Sequence, residues 1–217
     1  MGTDLRSLRH EYADRGLAEA DLADDPVTMF GRWFEDAVDA GIGEPNAMVV
    51  STVSAEGRPS SRMVLLKGYD EGGFVFFTNY ASQKAADLEA NPACSLLLPW
   101  HDLQRQVRID GTARQVDRSV SEEYFATRPR ESRLGAWASV APVAQSGVVP
   151  DADALQAAYD AAEQRFAGGD VPCPPTWGGY VVRPETVEFW QGRRGRMHDR
   201  LRYRRDGEGW VVERLAP

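Results

Sequence analysis

Arg62-Met63-Val64-Leu65-Leu66-Lys67, the turn-forming run Asp70-Glu71-Gly72-Gly73 and then Phe74-Val75-Phe76-Phe77-Thr78 make up the stretch on which the reading of this fold depends. Two short segments rich in β-branched and aromatic residues stand too close together for a crossover helix, so they read as an antiparallel hairpin. Strand alternation puts Arg62, Val64 and Leu66 on one face and Met63, Leu65 and Lys67 on the other, so the two cations point opposite ways.

The same grammar recurs outward in both directions. Strand-like runs lie at 48–53, 95–98, 106–116, 179–189, 201–204 and 210–214, with further turn signals at Glu56-Gly57, Asp110-Gly111 and Asp206-Gly207. Asp25-Pro26 caps a helical segment in which Met29, Phe30, Trp33, Phe34, Ala37 and Val38 share a face up to Gly41. Other helices start at Ser82, at Ser119 with Glu122 completing a capping box, and at Asp151, the last carrying Leu155, Ala158, Tyr159, Ala162 and Phe166 up to Gly168-Gly169. About eight strands with peripheral helices predict a mainly β chain of the α+β class, built on a small closed or partly closed antiparallel barrel. No repeat or linker divides the chain, so residues 1–217 read as one domain.

At 217 residues, 42% hydrophobic and 27% charged, the chain can bury a core. Its formal charge of −8 argues against a nucleic-acid partner. No run approaches the ~18 apolar residues of a membrane helix, and residues 1–15 hold no signal-peptide core, so a cytoplasmic protein without a membrane partner is expected. Cys94 and Cys173 are the only cysteines, and His10, His101 and His198 lie far apart, so neither a disulfide framework nor a metal site is expected.

Lysine occurs only at 67 and 84, and the other 23 of the 25 lysine and arginine positions are arginine. The run from Phe77 through Thr78, Ser82 and Gln83 to Lys84 joins a strand to a helix, where free amides, hydroxyls and a cation suit a phosphate; capping by Ser82 accounts for it equally. Helical spacing puts Tyr124 and Arg128 on one face, and Pro129 then ends that helix and turns Ser132 back. A phenol, a guanidinium and a hydroxyl suit a monophosphate, while basic residues complementing a helix dipole are the plainer alternative. Between 183 and 205, arginines crowd around Trp190-Gln191-Gly192 and Arg196-Met197-His198-Asp199-Arg200. As extended chain this puts Arg196, His198 and Arg200 on one face, a row able to orient an anionic heteroaromatic substrate. The sequence holds no glycine-rich phosphate loop, dinucleotide fingerprint or nucleophile elbow.

Taken in order, Arg9-His10-Glu11-Tyr12, Asp25-Pro26, Asn46-Ala47-Met48-Val49, the 62–67 strand, Pro99-Trp100-His101, Arg105-Gln106-Val107, Arg128-Pro129-Arg130, Gly135-Ala136-Trp137-Ala138-Ser139, Trp177-Gly178-Gly179, Glu188-Phe189-Trp190-Gln191-Gly192, the 196–200 run and the ending Arg214-Leu215-Ala216-Pro217 resemble the pyridoxamine 5'-phosphate oxidase family over nearly the whole chain. The resemblance implies an FMN-binding split barrel and a homodimer with FMN at the subunit interface, held by residues of both chains. It implies oxidation of pyridoxamine 5'-phosphate and pyridoxine 5'-phosphate to pyridoxal 5'-phosphate by O2, with hydrogen peroxide and, from the amine, ammonia as products.

Site roles follow from the same resemblance. Arg62 and Lys84 would hold the FMN phosphate near Thr78 and Ser82. The Met63, Val64, Leu65 and Leu66 backbone would hold the rest of the flavin, together with Lys67, Phe77, Gln83, Gln106, Gln145, Ser146, Trp190 and Arg200. Lys67, Tyr124, Arg128 and Ser132 would take the substrate phosphate, while Arg196, Met197 and His198 would face the pyridine ring, with Arg196 and His198 as the catalytic pair. Arg9 and Tyr12 would close over it from a mobile arm, residues 1–20. Gln83 stands where the family commonly has arginine, Phe77 where it commonly has tyrosine, and the loop 140–144 before Gln145-Ser146 is longer than usual. Competing functions are a split-barrel flavoprotein with a nicotinamide or deazaflavin donor, a non-catalytic flavin or vitamin-phosphate carrier, and an arginine-rich nucleic-acid-binding barrel.

Overall fold

The computed structural model describes residue 12, residues 15–140 and residues 145–217; Arg9 and most of the N-terminal arm lie outside the described residues. Its strands are β1 (Ala47–Val53), β2 (Pro59–Asp70), β3 (Gly73–Asn79), β4 (Ala93–Trp100), β5 (Arg105–Gln115), β6 (Trp177–Gln191), β7 (Asp199–Asp206) and β8 (Gly209–Arg214). The α-helices are α1 (Pro26–Asp39), α2 (Gln83–Ala90), α3 (Arg118–Thr127), α4 (Arg130–Ala138) and α5 (Ala152–Arg165). Hydrogen-bonded strands follow the order β3-β2-β1-β4-β5-β6-β7-β8, and a further pairing of β3 with β6 closes the first six into an antiparallel barrel. The β2–β3 hairpin turns where Asp70 pairs with Gly73, as the sequence requires.

Contacts group the chain into two compact units, one of Met1–Met48, Leu96–Asp110 and Pro184–Pro217, the other of Val49–Ser95 and Gly111–Arg183. In the first, the Asp25 carboxylate accepts from the Val27 and Thr28 amides at 2.9 Å, which starts α1 and turns Met29, Phe30, Trp33 and Ala37 inward. Trp33 meets Phe189 edge-on at 5.1 Å, Phe189 meets Tyr203 at 5.8 Å, and the Tyr203 hydroxyl donates to the Ala23 carbonyl at 2.7 Å. That hydroxyl has a partner, so burying the ring leaves no unmet polar group.

In the second unit, Phe76 stacks on Tyr180 at 5.7 Å beneath the β3–β6 pairing. Leu134 of α4 packs with Ala162 of α5 and Val171, flanked by Trp137, Tyr159 and Phe166. Among the described residues, no helix is long and apolar enough to cross a membrane.

Local readings fail where tertiary partners override sequence signals. The Asp110-Gly111 turn is absent: β5 runs straight through it, and Asp110 instead pairs with Arg108 and accepts from Thr186. Ser119 and Glu122 form no capping box, because α3 begins at Arg118, to which Glu122 is paired at 2.8 Å. Pro129 does not simply turn the chain back; it is the N-cap of α4, a helix unforeseen from sequence, which is held by the Leu134 cluster. The helix α5 ends at Arg165, and Gly168, at φ +72°, takes the turn beyond it. Residues 194–196 form a single 3-10 turn, so Arg196, His198 and Arg200 are not successive positions of one extended strand.

Gly73, at φ +133°, has no room for a Cβ, which would collide with the Val182 carbonyl across the β3–β6 pairing. Gly73→Ala is therefore expected to cost about 2–4 kcal/mol, combining backbone strain with a displaced pairing. Urea unfolding checks this through the midpoint at unchanged m-value, and a loss within about 0.5 kcal/mol would contradict it.

Candidate functional site

A cavity of about 700 Å³ opens in the second unit, lined by Met63, Val64, Leu65 and Lys67 of β2, Phe77, Thr78 and Asn79 of β3, Lys84 of α2, the Tyr124–Ser132 segment, α4, Gln145 and Trp177. The register slips between Leu66 and Gly68, making Lys67 the extra residue of a bulge. Bulges twist a strand and re-aim side chains. Here the face holding Met63, Leu65 and Lys67 borders the cavity, while Leu66 is buried.

Three cations line this space, and none of Lys67, Lys84 and Arg128 has a carboxylate partner among the described residues. Lys84, only 9% exposed, donates to the Thr78 hydroxyl at 2.9 Å and the Ser82 hydroxyl at 3.4 Å. Burial, then the neighbouring Arg62, pulls its pKa below the ordinary lysine value. Burial likewise lowers Arg128, whose Nη1 is buried without a hydrogen-bond acceptor. Lys84 and Arg128, desolvated and without counter-ions, together with exposed Lys67, leave a field that an anion would satisfy.

Beside the cavity, buried Asp87 is a hub. Burial alone would raise its carboxyl, but hydrogen bonds from Thr52 at 2.6 Å and Gln83 at 2.8 Å, with Arg62 nearby, bring it below the ordinary value. Arg62 is 3.8 Å from Asp87, and its guanidinium donates to the Val50 and Ser60 carbonyls and the Thr52 and Ser60 hydroxyls. Thus Met63, Val64, Leu65, Lys67, Phe77, Thr78, Lys84 and Gln145 line the cavity together with Tyr124, Arg128 and Ser132. Arg62, Leu66, Ser82, Gln83 and Ser146 do not; the Gln83 backbone N–H donates to the Ser146 hydroxyl at 3.4 Å, and Ser146 sits at φ +72°.

The remaining candidates belong to the first unit. Tyr12, Trp190 and His198 meet ring to ring, with centroids 4.7–5.9 Å apart. Gly192 makes this possible, since a Cβ there would lie 3.1 Å from Tyr12 Cγ and from Gln104 Cβ. The Arg193 amide donates to His198 Nδ1 at 3.1 Å, which puts the proton of the neutral ring on Nε2. Arg196 adopts φ +62°, a conformation costly for a side chain with Cβ, and Met197 is 66% exposed. Arg200 donates from Nε to Glu188 at 2.7 Å, and buried Glu188 also takes Arg108 at 2.8 Å; Gln106 lies half-buried on β5. Sequence reasoning missed Trp177, Asn79, Thr127, Pro129, Gly135, Ala136 and Ser139 as cavity-lining residues. Trp177, Pro129, Gly135, Ala136 and Ser139 stood in runs that carry the family resemblance, but no local rule ties those runs to the cavity.

Residues 34–166 match a family model described as pyridoxamine 5'-phosphate oxidase, and residues 177–217 match one described as the pyridoxine 5'-phosphate oxidase C-terminal dimerisation region. The chain is 62% identical over 214 residues to a pyridoxine/pyridoxamine 5'-phosphate oxidase of Nocardioides, covering 99% of this chain and 98% of that one. It is 54% identical to the protein of the same name from Rubrobacter xylanophilus, covering 99% and 97%. Among solved structures, PhzG from Burkholderia lata, in complex with tetrahydrophenazine-1-carboxylic acid, is similar with a TM-score of 0.86 and 31% identity, over 94% of this chain and 99% of that one.

Burial, then the charge of Arg196, lowers the pKa of His198 below its ordinary value. Its NMR titration should have a midpoint below about 6.5. Folding favours the neutral ring, so the associated stability is present above the unfolded-state value and declines as pH falls from there towards the depressed midpoint. Arg196→Leu should move the midpoint upward without restoring it fully, since burial remains; an unmoved midpoint would contradict the assigned cause.

Proposed function

This chain belongs to the pyridoxamine 5'-phosphate oxidase family, and from that premise we propose that it oxidises pyridoxamine 5'-phosphate and pyridoxine 5'-phosphate to pyridoxal 5'-phosphate, with FMN as cofactor and O2 as electron acceptor. The alcohol would yield pyridoxal 5'-phosphate and hydrogen peroxide; the amine, with one water, would yield these and ammonia. The observation that carries this reading is the set of carboxylate-free cations, Lys67, Lys84 and Arg128, around one cavity. Both the cofactor and the substrates bring a phosphate.

The residues present fit FMN. A cavity of about 700 Å³ has the size of a cofactor pocket, and Lys84 is a desolvated cation fixed by two hydroxyls, a phosphate donor with no competing acid among the described residues. Lys84 and Arg62 would hold the FMN phosphate with Thr78 and Ser82, while the Met63–Leu66 backbone, Phe77, Gln83, Gln106, Gln145, Ser146, Trp190 and Arg200 would contact the rest. The match of residues 177–217 to a dimerisation region supports a homodimer, and the flavin would sit at its interface. Bound flavin would supply the hydride acceptor that no side chain provides.

Lys67, Tyr124, Arg128 and Ser132 would grip the substrate phosphate and fix the distance of the reacting carbon, which is where orientation lowers the barrier. Arg196 and Met197 would position the pyridine ring with Tyr12 and Arg9. His198, its Nδ1 already occupied by the Arg193 amide, would present Nε2–H to the substrate as a donor.

Anaerobic mixing of the FMN-loaded protein with each substrate tests the proposal. Bleaching of the flavin band, formation of pyridoxal 5'-phosphate and recovery of colour in air are expected; a yellow protein bleached by neither substrate would overturn it. Lys84→Ala should weaken FMN binding about 10- to 100-fold, as expected for losing a charge-assisted hydrogen bond worth ~1.5–3 kcal/mol. Fluorescence titration of the apoprotein reads this directly, and unchanged affinity would remove Lys84 from the cofactor set.

A further inference from the structure

Trp177, the first residue of the run Trp177-Gly178-Gly179, has no role in the proposed oxidation, yet it lines the cavity. We propose that Trp177 is a positioning residue for the anion subsite: its indole face, in place of a carboxylate, holds the Arg128 guanidinium, fixing the cation while leaving its charge for the ligand phosphate. The inference rests on the reading that Arg128 takes that phosphate.

Arg128 follows the last residue of α3, and its long side chain would sample many rotamers if nothing restrained it. Proteins commonly restrain arginine with an acid, which also cancels its field. Here no acid does so among the described residues. The guanidinium carbon lies 4.8 Å from the centre of the Trp177 ring and 5.4 Å from that of Phe125. Those two rings meet edge to face at 70°, forming a corner around it. A ring face attracts a cation without neutralising it. The buried, acceptor-free Nη1 of Arg128 is what such an arrangement leaves over.

The indole itself is over-determined. Phe77 lies parallel to it at 5.3 Å and 7°, and Tyr124, 4.2 Å from Phe77, is also near-parallel to the indole at 6.1 Å and 14°. Its backbone is tied to the start of α3, where Arg118 donates to the carbonyls of Trp177 at 3.0 Å, Pro174 at 2.9 Å and Cys173 at 2.7 Å. The two glycines complete the device. A Cβ at Gly179 would lie 2.8 Å from Phe77 Cε1 and push that ring away, while one at Gly178 would fall on the Tyr80 hydroxyl on the neighbouring segment. The same helix that presents Tyr124 and Arg128 is therefore fastened at its first residue to the segment carrying the ring that positions Arg128.

The test uses the FMN-loaded enzyme, steady-state kinetics with pyridoxine 5'-phosphate, and inhibition by inorganic phosphate. Trp177→Leu should raise both KM and the phosphate inhibition constant about 3- to 30-fold, the range of a desolvated cation–π contact, with kcat and FMN content little changed. Trp177→Phe, which keeps a ring, should recover most of the loss and serves if the leucine variant does not fold. In an Arg128→Gln background, Trp177→Leu should have no further effect on phosphate inhibition. A lowered melting temperature with unchanged phosphate inhibition, or effects of the two positions that simply multiply, would show a packing residue only and overturn the inference. If Arg128→Gln itself leaves phosphate inhibition and KM unchanged, the anion-subsite reading fails, and this inference fails with it.

Discussion

The pairing of β3 with β6 is the constraint on which the rest depends. Phe74 faces Val182, Phe76 faces Tyr180, Phe77 faces Gly179 and Asn79 faces Trp177, joining segments about a hundred residues apart and closing the barrel. Such a contact is costly in loop entropy until it is made. Once made, it fixes three things at once: a hairpin turn that only Gly73 can occupy, an aromatic cluster that needs Gly179, and the end of β3 from which Thr78 reaches Lys84. The cavity is bounded on one side by the pairing that closes the sheet.

Charge is distributed with a similar economy. Among the described residues, most arginines near the C-terminus are paired: Arg200 and Arg108 with Glu188, Arg202 and Arg204 with Glu213, and Arg214 with Glu19 and Asp199. Partly exposed pairs of this kind contribute little stability individually, but they cancel local fields and hold register across β6, β7 and β8. The cavity follows the opposite rule. Its cations rest on hydroxyls and ring faces, so their field is retained, which is how an acidic protein of net charge −8 can present an anion site.

Much of the candidate site was legible because it depends on local spacing. Lys67, Tyr124, Arg128 and Ser132, singled out from a strand end and a helix end, do line one cavity, although Ser132 arrives there on α4 and not on a returning loop. The row through Arg196, His198 and Arg200 was drawn wrongly, because period-two reasoning assumed an extended chain where Gly195 and Arg196 both take positive φ. Asp110-Gly111 misled for a related reason: a dipeptide that favours a turn in isolation stayed in β5 once Arg108 and Thr186 had satisfied the aspartate.

The amino-acid sequence by itself determined the antiparallel character of the chain, the hairpin at 70–73, the capped start of α1 and the family to which the chain belongs, since each rests on residue types at short, fixed spacing. Only the tertiary structure decided that α4 exists, that Arg62 turns to the strand carbonyls and Asp87, and that Trp177 stands against Arg128. Those outcomes depend on which desolvated groups find partners across long stretches of chain, and the energy of a buried cation or an unpaired helix face is set by neighbours that no local window contains.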